Sequence, residues 1–353
     1  MRFGIFLQPL HHPSEHPTLA MERDLSLLSH LDELGFEEAW IGEHHSTGWE
    51  NIGSPEVFIA AAAQRTQRMR LGTGVIQLGL HNPLVLLDRM ILLDHLTRGR
   101  AMFGVGVGGG LPSDLKVFGL DAETAGRRFN ESIDAITRLL NDSEPVSMST
   151  EWFELQGAVL QLAPFTKPHM PFAVASTNSK NLELMGELGG QVLLGPIPER
   201  VPEIFEHIQR GAERVGRAAS RDQIVLSYRM HMADSRDEAL ESYREGSIVE
   251  QVEFNAGVNG RPPITGDVDE WYASFAESML IGAPDDVGEK IERIVDISGG
   301  IGGILFQPRD WAGPEAGERA YELFARKVAP HFQGHSGQQV RAAQAASDLN
   351  TPA

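Results

Sequence analysis

Short runs rich in apolar and β-branched residues alternate along this chain with longer stretches whose apolar residues recur at helical spacing. The short runs predict strands at Arg2–Gln8, Glu38–Gly42, Met69–Gln77, Ala101–Val107, Phe172–Ala175, Val192–Leu194, Ile224–Met230 and Ile301–Gln307. Helices are predicted between them. Leu19–Leu34 ends at Gly35, a C-terminal cap signal, and Ser54-Pro55-Glu56 opens a helix that runs to about Gln67. Further helical patterns cover Pro83–Leu96, Glu123–Leu140, Leu182–Leu188, Pro202–Ala219 and Ala316–Val328. Eight strand candidates, each paired with a helix, fit an α/β (β/α)8 TIM barrel over residues 1–332 better than an open sheet.

Three segments stand outside the repeat. Trp152–Leu162 alternates around Gln156-Gly157 and predicts a small inserted β-hairpin. After the seventh strand a long stretch, about 246–282, contains Asn255-Ala256-Gly257-Val258-Asn259-Gly260-Arg261-Pro262-Pro263 and is expected to form a lid over the substrate. The tail, 333–353, is rich in Gln, Ala and Ser and is expected to be mobile or to touch a neighbouring subunit.

Composition removes several function classes. With 49 acidic and 30 basic side chains the formal net charge is −19, a surface that phosphate backbones and anionic lipids repel. Nucleic acid and membrane are therefore not expected as partners. The absence of cysteine excludes disulfides, thiolate metal sites and a Cys nucleophile. No apolar run is long enough to span a bilayer and no signal peptide is visible, so a cytoplasmic location is expected.

Chemistry is expected at the C-terminal ends of the strands, where barrels of this kind carry their active sites. Ala39-Trp40-Ile41-Gly42 runs straight into Glu43-His44-His45, a carboxylate and two imidazoles at the mouth. Only one of two consecutive residues at a strand end readily faces inward. His11-His12, after the first strand, could converge with His44 on a metal, but no metal site is expected from that spacing. Gly72 and Gly74 flank Thr73 in the third strand, as either a packing adjustment or close approach of something flat. Gly104-Val105-Gly106-Val107-Gly108-Gly109-Gly110 ends the fourth strand and offers a planar ring system room; it lacks the helix that must directly follow a dinucleotide fingerprint. Val174-Ala175-Ser176-Thr177-Asn178-Ser179 puts hydroxyls at a helix start, where a phosphate can bind, with Arg127 as charge partner.

Trp40-Ile41-Gly42-Glu43-His44-His45, Gly72-Thr73-Gly74-Val75, His81-Asn82-Pro83-Leu84 and Leu93-Asp94-His95-Leu96-Thr97-Arg98-Gly99-Arg100 together resemble the bacterial luciferase-like family. Phe103-Gly104-Val105-Gly106 and Val117-Phe118-Gly119 add to the likeness, which is dense in the first 130 residues. Gly303-Ile304-Leu305-Phe306 ahead of Asp310-Trp311-Ala312 resembles the limonene- and alkanal-type branch. The resemblance implies a flavin-dependent monooxygenase on a (β/α)8 barrel. It would use reduced FMN, delivered by a separate NAD(P)H:flavin reductase, and O2 to oxygenate a small apolar organic substrate through a flavin peroxide.

The resemblance also distributes roles. His44 is the implied catalytic imidazole, and Gly74-Val75 a cis peptide beneath the flavin. Asn82, Gly106 and Ala175 are implied cofactor-binding positions, and Ser176, Ser179 and Arg127 the ligands of the FMN phosphate. Phe6, Trp40, Ile76 and the lid would supply apolar walls. The chain lacks luciferase's reactive Cys at the end of strand four, where Gly106 and Val107 stand, and has Ala175 in place of a carboxylate, so light emission is not expected. A homodimer is implied. Two alternatives stay open: a deazaflavin-dependent oxidoreductase on the same barrel, and a non-catalytic flavin-binding relative.

Overall fold

Strands covered on both faces must be apolar on both faces, so the runs above become the staves of a closed parallel barrel. The computed structural model describes residues 1–334, 339, 341 and 342. Its eight barrel strands are β1 (Arg2–Leu7), β2 (Glu38–Ile41), β3 (Arg70–Thr73), β4 (Ala101–Gly106), β5 (Phe172–Val174), β6 (Gln191–Leu194), β7 (Ile224–Met232) and β8 (Gly303–Gln307). Each pairs in parallel with its neighbours in chain order. β8 closes on β1 through Arg2 opposite Gly303, and β6 on β7 through Val192 opposite Ile224. The short strand Ile76–Gln77 continues β3 against the end of β4. All eight expected barrel strands are present.

An apolar layer of side chains packs the barrel interior. Trp40, Met102, Ala173, Leu193, Val225 and Leu305 form it, with Phe6 and Val75 packed against them, one residue from each strand or its continuation. Trp40 explains a glycine. Gly72 lies opposite it on β3, and a Cβ there would sit 2.5 Å from the Trp40 ring. The flat object that Gly72 accommodates is therefore an indole of the protein itself. Trp40 belongs to this interior layer and Ile76 to the larger core, both fully buried. Neither lines the cavity beside His44, where they were expected as walls, whereas Phe6 does.

The helices of the outer ring are α1 (Pro17–Leu34), α2 (Pro55–Ala62), α3 (Pro83–Thr97), α4 (Pro112–Val117), α5 (Ala122–Asn141), α6 (Ser179–Leu188), α7 (Val201–Arg214), α8 (Arg236–Val249), α9 (Val268–Ser278), α10 (Pro284–Ser298) and α11 (Pro314–Leu323). Pro occupies the first turn of many of them, where its missing N–H costs nothing. The predicted hairpin is Val146–Ser149 paired antiparallel with Glu154–Ala158. No helix among the described residues is long and apolar enough to cross a membrane.

The long stretch after β7 is more regular than its composition indicates. α8 runs on into a π-helical turn at Glu250–Ala256; α9 follows, and then Leu280–Gly282, a strand parallel to β7. Only 257–267 is irregular. Phe254 anchors the turn in an apolar cluster with Leu10, Trp49 and Leu111, its ring centroid 5.6 Å from that of Trp49. The segment is thus tied down across the ends of β1 and β2. The expectation for the tail falls, from residue 335 on, almost wholly outside the described residues.

Candidate active site

Two residues beyond the end of β2 the chain turns out of the barrel, and Glu43, His44 and His45 part company. His44 and His45 take different directions because each finds a different carboxylate.

His44 Nδ1 lies 2.8 Å from Asp114 Oδ2, and its Nε2 lies 3.4 Å from Glu50 Oε2. Asp114 comes from the first turn of α4 and is an acceptor four times over. Its Oδ1 takes the His45 backbone N–H at 3.0 Å and the Ser46 hydroxyl at 2.5 Å, while Oδ2 takes His44 and, at 3.1 Å, the Gln77 amide. Burial works against its charge, yet the donors from His44, Ser46 and the His45 backbone outweigh it and hold its pKa at about 2. Burial likewise disfavours the His44 cation, but Asp114, Glu50 and Glu43 outweigh burial and raise the imidazole above its ordinary pKa. Glu50, deeply buried, moves the other way from an ordinary carboxylate: desolvation raises it against the pull of His44 and Arg309. His44 can therefore hold a proton near neutral pH and is oriented to exchange one.

The depressed pKa of Asp114 has a consequence for stability. A carboxylate whose folded value lies below its ordinary one stabilises the fold above the ordinary value and ceases to do so as pH falls through the folded one. The window for Asp114 runs from the ordinary 3.8 down to about 2. Wild type should melt above Asp114→Asn at pH 5, and the gap should narrow through that window; thermal melts in a pH series measure it, and a constant gap would contradict the assignment.

Glu43 serves the other imidazoles. Its Oε1 lies 2.9 Å from His45 Nε2 and 2.6 Å from His81 Nε2, and its Oε2 accepts the Gln77 backbone N–H at 2.6 Å. Desolvation pushes its pKa up, but bonds to His45 and His81 pull it below the usual range. His45 then rests edge-on against Phe118, ring centroids 5.2 Å apart. Glu43, His45 and His81 bring ligand-type atoms within 4.8 Å of one another. Tetrahedral coordination at 2.0–2.1 Å would separate ligand atoms by about 3.3 Å; the observed 2.6 and 2.9 Å are hydrogen-bond lengths. His11 and His12 do not join His44: His11 pairs with Asp24 at 2.9 Å and His12 with Glu253 at 3.1 Å.

His44 borders a cavity of about 380 Å³ that Gly74, Val75, Gly106, Ala175 and Ser176 also line, within the usual range for small-molecule sites. The Gly74–Val75 peptide is cis. A Cβ on Gly106 would meet Val75 Cγ2 at 2.6 Å, whereas one on Gly110 would meet nothing within 4 Å. The glycine run thus forms a smooth wall with one open end. Ser176 Oγ accepts the Asn178 N–H and the Asn181 amide, both at 3.1 Å, and exposed Ser179 is the first residue of α6.

Three predicted cofactor positions do not line this cavity: Ser179, Asn82 and Arg127. Asn82 is the N-cap of α3, accepting the Leu84 and Val85 N–H groups at 3.1 and 3.2 Å. Capping engages the Oδ1 of the side chain whose motif drew attention to it. Arg127, on α5, is half exposed and bonds Glu151 at 2.8 Å. Sequence reasoning missed Asp114, Glu50, Gln77 and His81. Only Asp114 had a local signal, an acid two residues after Pro112 at a helix start.

The family model for luciferase-like monooxygenases matches residues 1–299. The chain is 41% identical over 345 residues to 4-hydroxyprotoasukamycin monooxygenase of Streptomyces nodosus subsp. asukaensis, covering 94% of this chain and 92% of that protein. It is 38% identical over 347 residues to limonene 1,2-monooxygenase of Rhodococcus erythropolis, covering 96% and 88%. Among solved structures, the monooxygenase RslO1 from Streptomyces bottropensis superposes with a TM-score of 0.83 at 26% identity, covering 94% of this chain and all 100% of that one. This chain belongs to the luciferase-like monooxygenase family.

Proposed function

We propose that this chain is the oxygenase component of a two-component flavin monooxygenase. It takes reduced FMN from a separate NAD(P)H:flavin reductase and uses O2 to oxygenate a small organic substrate. The observation that carries this reading is His44, held by Asp114, on the wall of a cavity one side of which is the glycine-rich run Gly106–Gly110. A proton-exchanging group and a smooth wall for a flat ring are the two things such an enzyme must place together.

The residues present fit a flavin. Gly106, Gly108, Gly109 and Gly110 leave one wall without side chains. Gln77, on the same cavity, has a buried Oε1 without a partner, an acceptor suited to a ring N–H. Ser176, Ser179 and the backbone N–H groups that open α6 would hold the phosphate. Arg127 could join them, since an exposed ion pair such as the one with Glu151 is worth about 1 kcal/mol or less. When bound, reduced FMN supplies the electrons that activate O2. The protein excludes water with the 246–282 segment and the glycine wall, and His44 holds or moves a proton at Nε2, with Asp114 fixing the ring through Nδ1.

The test is an oxygen electrode and two reduced coenzymes. Free reduced FMN consumes O2 unaided, so the expected result is a time course of O2 consumption by photoreduced FMN that changes when the protein is present, with no reaction of reduced deazaflavin. Hydride transfer from the deazaflavin without O2 uptake would overturn the proposal.

A further inference from the structure

A second chamber, of about 400 Å³, adjoins the first and shares Gln8, His44 and Gly110 with it. Its outer wall is the segment after α8. Apart from Gly110, Leu111 and Phe254, every residue lining it carries a polar or charged side chain. Hydrocarbon substrates need no such wall.

Part of this polarity is internally satisfied. Fully buried Glu250 receives Arg229, Arg309 Nε at 3.3 Å and the Trp311 indole N–H at 2.8 Å. The rest is not. Among the chamber's lining residues, Arg229 Nε and Asn259 Oδ1 are buried and have no hydrogen-bond partner, and buried Glu50 Oε2 has none either, its ionic neighbour being His44 Nε2 at 3.4 Å. Arg261, also on the wall, has no ion pair among the described residues. An unpaired buried polar atom costs stability unless something arrives to pair with it. The unmatched set is one guanidinium donor and two oxygen acceptors. Its complement is a ligand that offers a carbonyl oxygen to Arg229 and a hydroxyl or N–H to Asn259 or Glu50.

We propose that this chamber receives the polar end of the substrate, and that the substrate is a carbonyl compound also bearing a hydroxyl or N–H group rather than a plain hydrocarbon. This rests on the oxygenase reading of the His44 site and names the substrate class of that site. A site built to bond such groups discriminates strongly against analogues that lack them, because its own polar atoms are then stranded. Leu111 and Phe254 are left to contact the carbon skeleton.

A matched pair of ligands tests it. 4-Hydroxybenzamide and p-cymene share a para-disubstituted ring, with hydroxyl against methyl and carboxamide against isopropyl. Equilibrium dialysis with the full chain, with and without oxidised FMN, should show 4-hydroxybenzamide binding about 100-fold more tightly, two hydrogen bonds at roughly tenfold each. Asn259→Leu should cut that preference about tenfold, while p-cymene, which makes no such bond, keeps its affinity. Equal or tighter binding of p-cymene, an undiminished preference in Asn259→Leu, or no measurable binding of either ligand would each overturn the proposal. Should reduced FMN, added under anaerobic conditions, fail to bind, the oxygenase reading falls, whereas the two affinities still decide this one.

Discussion

His44→Ala is expected to lower product formation by about 10²–10⁴-fold, the usual contribution of a positioned acid or base, while oxygen uptake with reduced FMN continues. The separation follows from where His44 stands. It borders the cavity without forming its glycine wall, so its removal leaves room for the cofactor. Asp114 loses one of its four donors and keeps Ser46, the His45 N–H and Gln77, so the turn that carries the site stays bonded. What disappears is the proton exchanged at Nε2. His44→Gln distinguishes proton from shape, because glutamine can bond Asp114 but has no titratable nitrogen. Both variants should give the same loss in product per FMN oxidised, read by mass spectrometry against an oxygen trace. Product yield retained in His44→Gln would assign His44 to positioning alone.

The fold was legible because a parallel barrel writes itself into sequence plainly. Each strand is buried on both faces, so runs such as Phe3-Gly4-Ile5-Phe6-Leu7 stand out from amphipathic helices. Leu280–Gly282 escaped notice because two apolar residues and a glycine carry no period. His44 was legible because the end of an apolar run is a position that chemistry can use. Asp114 and Glu50 were not: Asp114 meets His44 across 70 residues of chain, and Glu50 is indistinguishable in sequence from any surface carboxylate. Their significance is made by the closure of the barrel, which no local pattern encodes. Gly72 shows the opposite case. Its pattern leaves open a packing adjustment or close approach of something flat, and the ring it meets is Trp40 on the neighbouring strand, a packing contact within the barrel.

Asp114→Asn is expected to cost about 10²-fold in product formation at neutral pH, at the low end of what loss of a well-tuned proton carrier costs. The reason lies in counting donors. Both oxygens of Asp114 face donors only: the His45 N–H and the Ser46 hydroxyl on one side, His44 and the Gln77 amide on the other. An amide must turn its NH2 toward one of these pairs. The His45 backbone N–H cannot change, so the NH2 goes to the other side. Gln77 can answer by flipping its amide, whose Oε1 is without a partner, at the expense of its 3.1 Å bond to the Glu43 carbonyl. His44 can answer only by presenting a bare Nδ1, which places its proton on Nε2 and leaves the ring neutral. With the Asp114 charge gone as well, the imidazole loses the largest of the influences that raise its pKa. The pH dependence of product formation should therefore move to lower pH in Asp114→Asn, and lowering the pH should recover part of the rate. A residue that merely held the loop would lower the rate equally at every pH. A parallel loss across the profile would thus remove Asp114 from the proton chemistry and return it to structure.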